Sequence, residues 1–258
     1  MEIALHIENL YVNYGQTPAL SGVCLDVLDK EFLGIIGPNG GGKTTLLKAI
    51  LGLVPVSSGK ILVYGEEAHT RGIRIGYVPQ YSFVDRRFPI SVTEAVLTAM
   101  LKDVLRPGFR YSRQQKELAR EYLRQVGLEQ LAERQISQLS GGEFQRMFIA
   151  RALAVKPRVI LLDEPTASVD PHFKEDFYEL LEKLNQDMTI IMVSHDLLAI
   201  SAKVKRIACI NRGIVYHGKA ELSENVIKKM YNCPVDLIAH GVPHRVLGEH
   251  DQEGGCRH

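Results

Sequence analysis

The sequence predicts an α/β fold in which a parallel sheet core is preceded by an N-terminal antiparallel β region and interrupted by a helical insert. Three observations carry this. The first thirty residues alternate apolar and polar, residues 32–52 read strand, glycine-rich turn, helix, and residues 91–155 carry helical periodicity before strand and helix signals resume.

Taken in order, Ile3, Leu5 and Ile7, then Val23, Leu25 and Val27, alternate with polar positions and are separated by turn residues, as antiparallel strands require. Phe32 to Ile36 is a continuous apolar run, the mark of a strand buried on both faces. The glycines after it lead into a helix from Thr45 to Leu51, closed by Gly52. Two more strands are expected at Lys60 to Tyr64 and Arg74 to Val78. In the insert, Ser91-Val-Thr-Glu94 is a capping box, Arg113 to Val126 is an amphipathic helix stopped by Gly127, and a third helix runs from about Gly142 to Ala154. Lys102 to Tyr111, with Pro107-Gly108, is a loop. Val159 to Leu162 and Thr189 to Val193 are further strands. Asp170 caps a helix with Pro171 at its first position, and Asp196 to Ala202 opens another.

Composition bounds the function. With 45% hydrophobic and 24% charged residues over 258 positions, the chain can bury a sizeable core, which excludes disordered and fibrous classes. Thirty-one basic residues against 30 acidic give a net charge of +1, so no global field holds a polyanion and nucleic acid is not an expected partner. Apolar runs fall far short of the ~20 residues that cross a bilayer, and MEIALHIENL has no basic leader, so a cytoplasmic location is expected. Four scattered cysteines suit reduced thiols.

Gly37-Pro38-Asn39-Gly40-Gly41-Gly42-Lys43-Thr44 has the spacing G-x-x-x-x-G-K-[ST] between a strand and a helix. Glycines let consecutive backbone N–H groups wrap a phosphate, and the helix N-terminus adds partial positive charge. Lys43 neutralises phosphate oxygens, and Thr44 offers a hydroxyl to Mg²⁺. Asp163 and Glu164 follow the apolar run Val159 to Leu162 at the sheet edge where ligands bind. Asp163 is placed to reach Mg²⁺; Glu164, facing the other way, is placed to polarise an attacking water. His195 ends another apolar strand at that edge, in reach of a γ-phosphate, and Gln80 ends the Ile75 to Pro79 strand, where its amide can share a metal or a water.

Leu139-Ser140-Gly141-Gly142-Glu143 is a second glycine-rich helix start with a hydroxyl, an arrangement that suits either a helix cap or an anion. A chain with one phosphate loop has use for a second anion site if two copies meet head to tail, so a homodimer is expected.

These residues resemble the nucleotide-binding subunit of an ATP-binding cassette (ABC) transporter over about residues 3 to 230. Six elements stand in the family's order: the phosphate loop at Gly37 to Thr44, the Q-loop Gln80, the signature Leu139 to Glu143, the Val159 to Asp163 strand with Glu164, the D-loop Ala167-Ser168-Val169-Asp170, and the switch His195. The resemblance implies a P-loop NTPase with a RecA-like core, its cassette over 1–232 and helical subdomain over about 91–155. It further implies two subunits sandwiching two ATP molecules, each bound by residues 37–45 of one copy, Thr45 included, and by Ser140, Gly141, Gly142, Glu143 and Asp170 of the other. Mg²⁺ is implied at Thr44, Gln80 and Asp163, and catalysis at Glu164 as base, His195 on the γ-phosphate and Gln80 beside the metal or water. Tyr14 resembles the aromatic that stacks on adenine, with Tyr11 as its neighbour and alternative. The helical segment beside Gln80 is where family members dock a membrane permease, which places the chain on the cytoplasmic face of the membrane.

The stretch Ile75 to Gln80, Asp85 and Phe88 to Val92 is similar to cassettes of zinc and manganese uptake systems, which implies energised import of a divalent metal ion with an extracytoplasmic solute-binding protein upstream. Import of an iron chelate or haem is the alternative, and a soluble, non-transport ABC ATPase a more distant one. Residues 233–258 read as a flexible extension holding His240, His244, His250, His258, Cys233 and Cys256, with no recognisable zinc spacing.

Overall fold

The computed structural model describes residues 2–68, 74–80, 86–101, 110–166 and 171–220. The loop expected at 102–111 falls mostly outside them, as do the D-loop with Asp170 and the histidine-bearing extension.

β1 (Ile3–Tyr14) and β2 (Thr17–Leu28) form an antiparallel hairpin. β4 (Ser58–Val63) and the two-residue β5 (Glu66–Glu67) extend it to a four-stranded sheet in the order β2-β1-β4-β5. The alternation read from the sequence is the burial pattern: Leu5, Ile7, Val23, Leu25 and Val27 are all buried.

The second sheet has six strands. β3 (Phe32–Ile36), β6 (Ile75–Val78), β7 (Val159–Asp163), β8 (Thr189–Val193) and β9 (Arg206–Asn211) run parallel, and β10 (Gly213–Lys219) closes one edge antiparallel, in the order β10-β9-β3-β8-β7-β6. All five residues of β3, β7 and β8 are buried because this sheet is covered on both faces. Leu33, Ile35, Leu161, Ile191 and Val193 pack toward the antiparallel sheet and α1 (Lys43–Ile50). Phe32, Ile36, Ile160, Leu162 and Met192 pack into a second core with the remaining helices.

The helical insert is α2 (Val92–Leu97), continued by a short 3-10 turn, then α3 (Arg113–Gln125) and α4 (Gly141–Leu153). Ser91 and Glu94 make the expected capping box, Ser112 and Gln115 a second, and Ser140 and Glu143 a third. α4 packs on α2 and α3 and also on β6, so one rigid helix joins the insert to the sheet. α5 (Pro171–Asn185) starts at Pro171, as read from the sequence, and α6 (Leu197–Lys203) follows β8.

β9 and β10 were not anticipated. Ile207-Ala208-Cys209-Ile210 is a short apolar run with no glycine turn before it, and it enters the sheet by pairing with β3, some 170 residues earlier in the chain, on one side and with β10 on the other.

Candidate functional site

The turn between β3 and α1 is built from glycines because its backbone must run where side chains cannot. Gly42, the N-cap of α1, sits at φ 94°, and a Cβ there would lie 2.8 Å from the Ala19 carbonyl oxygen and 2.6 Å from Leu20 Cδ2. The loop is tied down by its own backbone: Gly41 N–H donates to Pro38 O (3.1 Å), and Arg212 N–H donates to Gly41 O (2.8 Å). The unforeseen turn between β9 and β10 therefore braces the phosphate-loop candidate.

Lys43, at the first position of α1, is buried, and its Nζ donates to the carbonyls of Gly37 (2.9 Å) and Pro38 (3.0 Å). Burial lowers its pKa below the ordinary lysine value, opposed by the nearby carboxylates of Glu164 and Asp163. The next residue, Thr44, donates its hydroxyl to Asp163 Oδ1 at 3.1 Å, joining the loop to the end of β7. Asp163 is itself buried, and burial pushes its carboxyl above the usual carboxylate range, with the Thr44 hydroxyl pulling the other way. Tyr77 on β6 lies close enough to feel the same carboxylate. Burial and that carboxylate raise the phenol to about 12.

Glu164 lies one residue past β7, but strand alternation is not what aims it. The strand ends at Asp163, and Glu164 turns at φ 47°, its N–H donating to Val193 O at 3.1 Å. That turn swings the carboxylate into the pocket. There Gln80 Nε2 donates to Glu164 Oε2 at 3.0 Å, and His195 Nδ1 lies 3.5 Å from the same oxygen. Three elements of the sheet edge thus converge on one oxygen: the end of β6, the end of β7 and the end of β8. The pocket they share with residues 39–45 and Ala19 has a volume of about 390 Å³ and is open and predominantly polar.

Gly40 to Thr45, Asn39, Gln80 and Glu164 line this pocket; Asp163 touches it through Thr44, and His195 through Glu164. Ser140, Gly141, Gly142 and Glu143 lie outside it. Ser140 Oγ accepts from Glu143 N–H at 3.3 Å and Glu143 Oε2 from Ser140 N–H at 2.7 Å, so within one copy these residues are the cap of α4. Tyr14 is half exposed at the β1–β2 turn and Tyr11 is 42% exposed, and neither lines the pocket. Sequence reasoning missed Ala19, which reaches the loop from β2, and Tyr77, whose place beside Asp163 follows from the β6–β7 pairing of Tyr77 with Leu161. Neither position carries a local signal.

The sequence profile of the ABC transporter family matches residues 20–167, more than half of the chain. The manganese transport system ATP-binding protein MntB of Listeria innocua is 38% identical over 242 residues, covering 91% of this chain and 99% of its own. The zinc uptake system ATP-binding protein ZurA of the same organism is 37% identical over 226 residues, covering 85% and 87%. Among solved structures, a dimeric ATP-binding cassette in a post-hydrolysis state, bound to ADP and phosphate, superposes with a TM-score of 0.70 at 28% identity, covering 85% of this chain and all of that one.

Proposed function

The chain belongs to the ABC transporter family as an ATPase cassette, and from that premise we propose that it binds and hydrolyses ATP to energise import of manganese or zinc through a separate membrane permease. The convergence of Gln80, Glu164 and His195 on one oxygen beside the Thr44–Asp163 pair carries this reading. The metal cargo rests on the relatives named for manganese and zinc transport.

ATP lies with its phosphates over residues 37–45, where backbone N–H groups and the N-terminus of α1 face them. Lys43 exchanges its two loop carbonyls for phosphate oxygens. The hydroxyl of Thr44, the carboxylate of Asp163 and the amide oxygen of Gln80 are hard oxygen donors that fit Mg²⁺, which when bound supplies charge neutralisation to the triphosphate. Glu164 accepts the proton of the attacking water, Gln80 holds that carboxylate's orientation, and His195 stands where charge develops on the γ-phosphate.

Two copies act head to tail, with the N-terminus of α4 in each copy, Ser140 to Glu143, completing the nucleotide site of the other, Asp170 beside it and Tyr14 against the adenine. The permease docks on the insert. A groove of about 380 Å³, lined mainly by apolar side chains including Pro79, Phe88, Ile90, Met147 and Phe148, opens beside Gln80, and Phe88 is 60% exposed at its rim. No helix among the described residues is long and apolar enough to cross a membrane. The subunit works at the cytoplasmic face, with an extracytoplasmic solute-binding protein delivering the metal.

Glu164→Gln tests the reading. It keeps the shape and both contacts but removes the base, so steady-state hydrolysis should fall 10²–10⁴-fold while ATP is retained and a dimer accumulates. Normal turnover would refute the assignment. Metal-dependent growth of a deletion strain tests the cargo.

A further inference from the structure

We propose that Arg86 is a positioning residue that holds the signature turn in register for the nucleotide of a second copy and ties it to the permease groove. The inference rests on the head-to-tail dimer proposed above. Arg86 lies six residues after Gln80, which lines the nucleotide pocket, and two before Phe88, which lines the groove. Its guanidinium NH2 donates to the carbonyl of Leu139, and its plane stands over the ring of Phe144, 4.9 Å from the centroid. These two contacts bracket the start of α4. Leu139 is the residue before the N-cap Ser140, and Phe144, fully buried, sits in the first turn. The Leu139 carbonyl lies outside the hydrogen-bond ladder of α4, which begins with Phe144 N–H donating to Ser140 O. The N–H of that same peptide, Ser140 N–H, is held by Glu143 Oε2 at 2.7 Å, so the guanidinium adds the second anchor and fixes the peptide at both its donor and its acceptor.

The charge has the wrong sign for helix stability, since a cation at a helix N-terminus opposes the macrodipole. It has the right sign for an anion arriving at Ser140 and Gly142, because it adds to the positive end of α4. The same side chain is anchored at its backbone two residues from Phe88, so a partner pressing on the groove moves the support of the signature turn. Arginine does this better than lysine because a planar fork can donate and stack together.

The test uses the full chain in a Glu164→Gln background, with size-exclusion chromatography across an ATP titration and, separately, binding of a fluorescent ATP analogue to the monomer. Arg86→Ala should raise the ATP concentration for half-maximal dimerisation about tenfold, equivalent to ~1.4 kcal/mol, and leave analogue binding by the monomer within twofold, because residues 37–45 are untouched. Arg86→Lys should fall between the two, keeping charge without the fork. Dimerisation of Arg86→Ala or Arg86→Lys at the same ATP concentration as the parent would overturn the proposal. Equal loss of monomer binding and dimerisation would also overturn it, since that is what a purely structural role produces. If the Glu164→Gln parent itself fails to dimerise with ATP, the head-to-tail reading fails first, and this inference with it.

Discussion

Replacing Gly42 by alanine probes how tightly the phosphate loop is seated on β2, and Gly40 supplies the control. Both have left-handed backbone, φ 94° and 75°, so an alanine at either costs ~1–2 kcal/mol. The smaller entropy of the unfolded alanine chain returns ~0.4–1 kcal/mol. They differ in space. A Cβ at Gly40 meets nothing within 4 Å, whereas one at Gly42 is driven to 2.8 Å from a backbone oxygen of Ala19 and 2.6 Å from a buried leucine side chain. Overpacking of that kind adds ~1–3 kcal/mol, because both clashing atoms belong to β2 and one of them is on the fully buried Leu20. The expected gap between the two variants is about 2 kcal/mol. At roughly 2–4 °C per kcal/mol for a chain of this class, Gly42→Ala should melt some 4–8 °C below Gly40→Ala by differential scanning calorimetry. Equal melting temperatures would refute the claim that β2 supports the loop.

Three other outcomes are expected. Lys43→Ala should weaken ATP binding roughly 10–100-fold by isothermal titration calorimetry, in line with the loss of charge-assisted hydrogen bonds; unchanged affinity would count against the loop. Ser140→Asp separates cap from anion site: aspartate caps as well as serine, so the melting temperature should stay within about 3 °C, while its charge repels a phosphate and should block ATP-driven dimerisation. Cys209, buried on β9 with its thiol raised to about 12, should resist iodoacetamide at pH 8, where the thiolate fraction is roughly 10⁻⁴. Exposed Cys24 should react, as mass spectrometry would detect. The same shift has a sign for stability. The folded state holds the Cys209 proton more tightly than the unfolded one, so its contribution is whole below the ordinary thiol value of about 8.5 and declines as pH rises toward 12.

What the sequence made legible is what is local. The caps at Ser91 and Ser140 each need only four consecutive residues. The runs Phe32 to Ile36, Val159 to Leu162 and Thr189 to Val193 announce two-sided burial without help from elsewhere. The loop and the sheet-edge carboxylates could be read because the phosphate chemistry demands particular residue types at fixed spacing. What stayed hidden depends on distant partners. β9 is a strand because β3 is beside it, and Arg212 braces the loop because the β9–β10 turn ends there. Tyr77 meets Asp163 because two parallel strands pair in one register. The aim of Glu164 depends on a backbone reversal that no alternation rule supplies.

That reversal has a consequence for what selection can preserve at this position. A glutamate held at φ 47° carries a conformational cost of order 1 kcal/mol that glycine or asparagine would largely escape. On stability alone, position 164 would drift toward one of those residues, and nothing in the packing of β7 would resist the change. A carboxylate can persist there only while its chemistry is in use. Position 164 is thus a gauge of the proposed activity: in a descendant cassette that no longer hydrolysed its nucleotide, only the contacts to Gln80 and His195 would stand against the backbone cost of keeping this side chain.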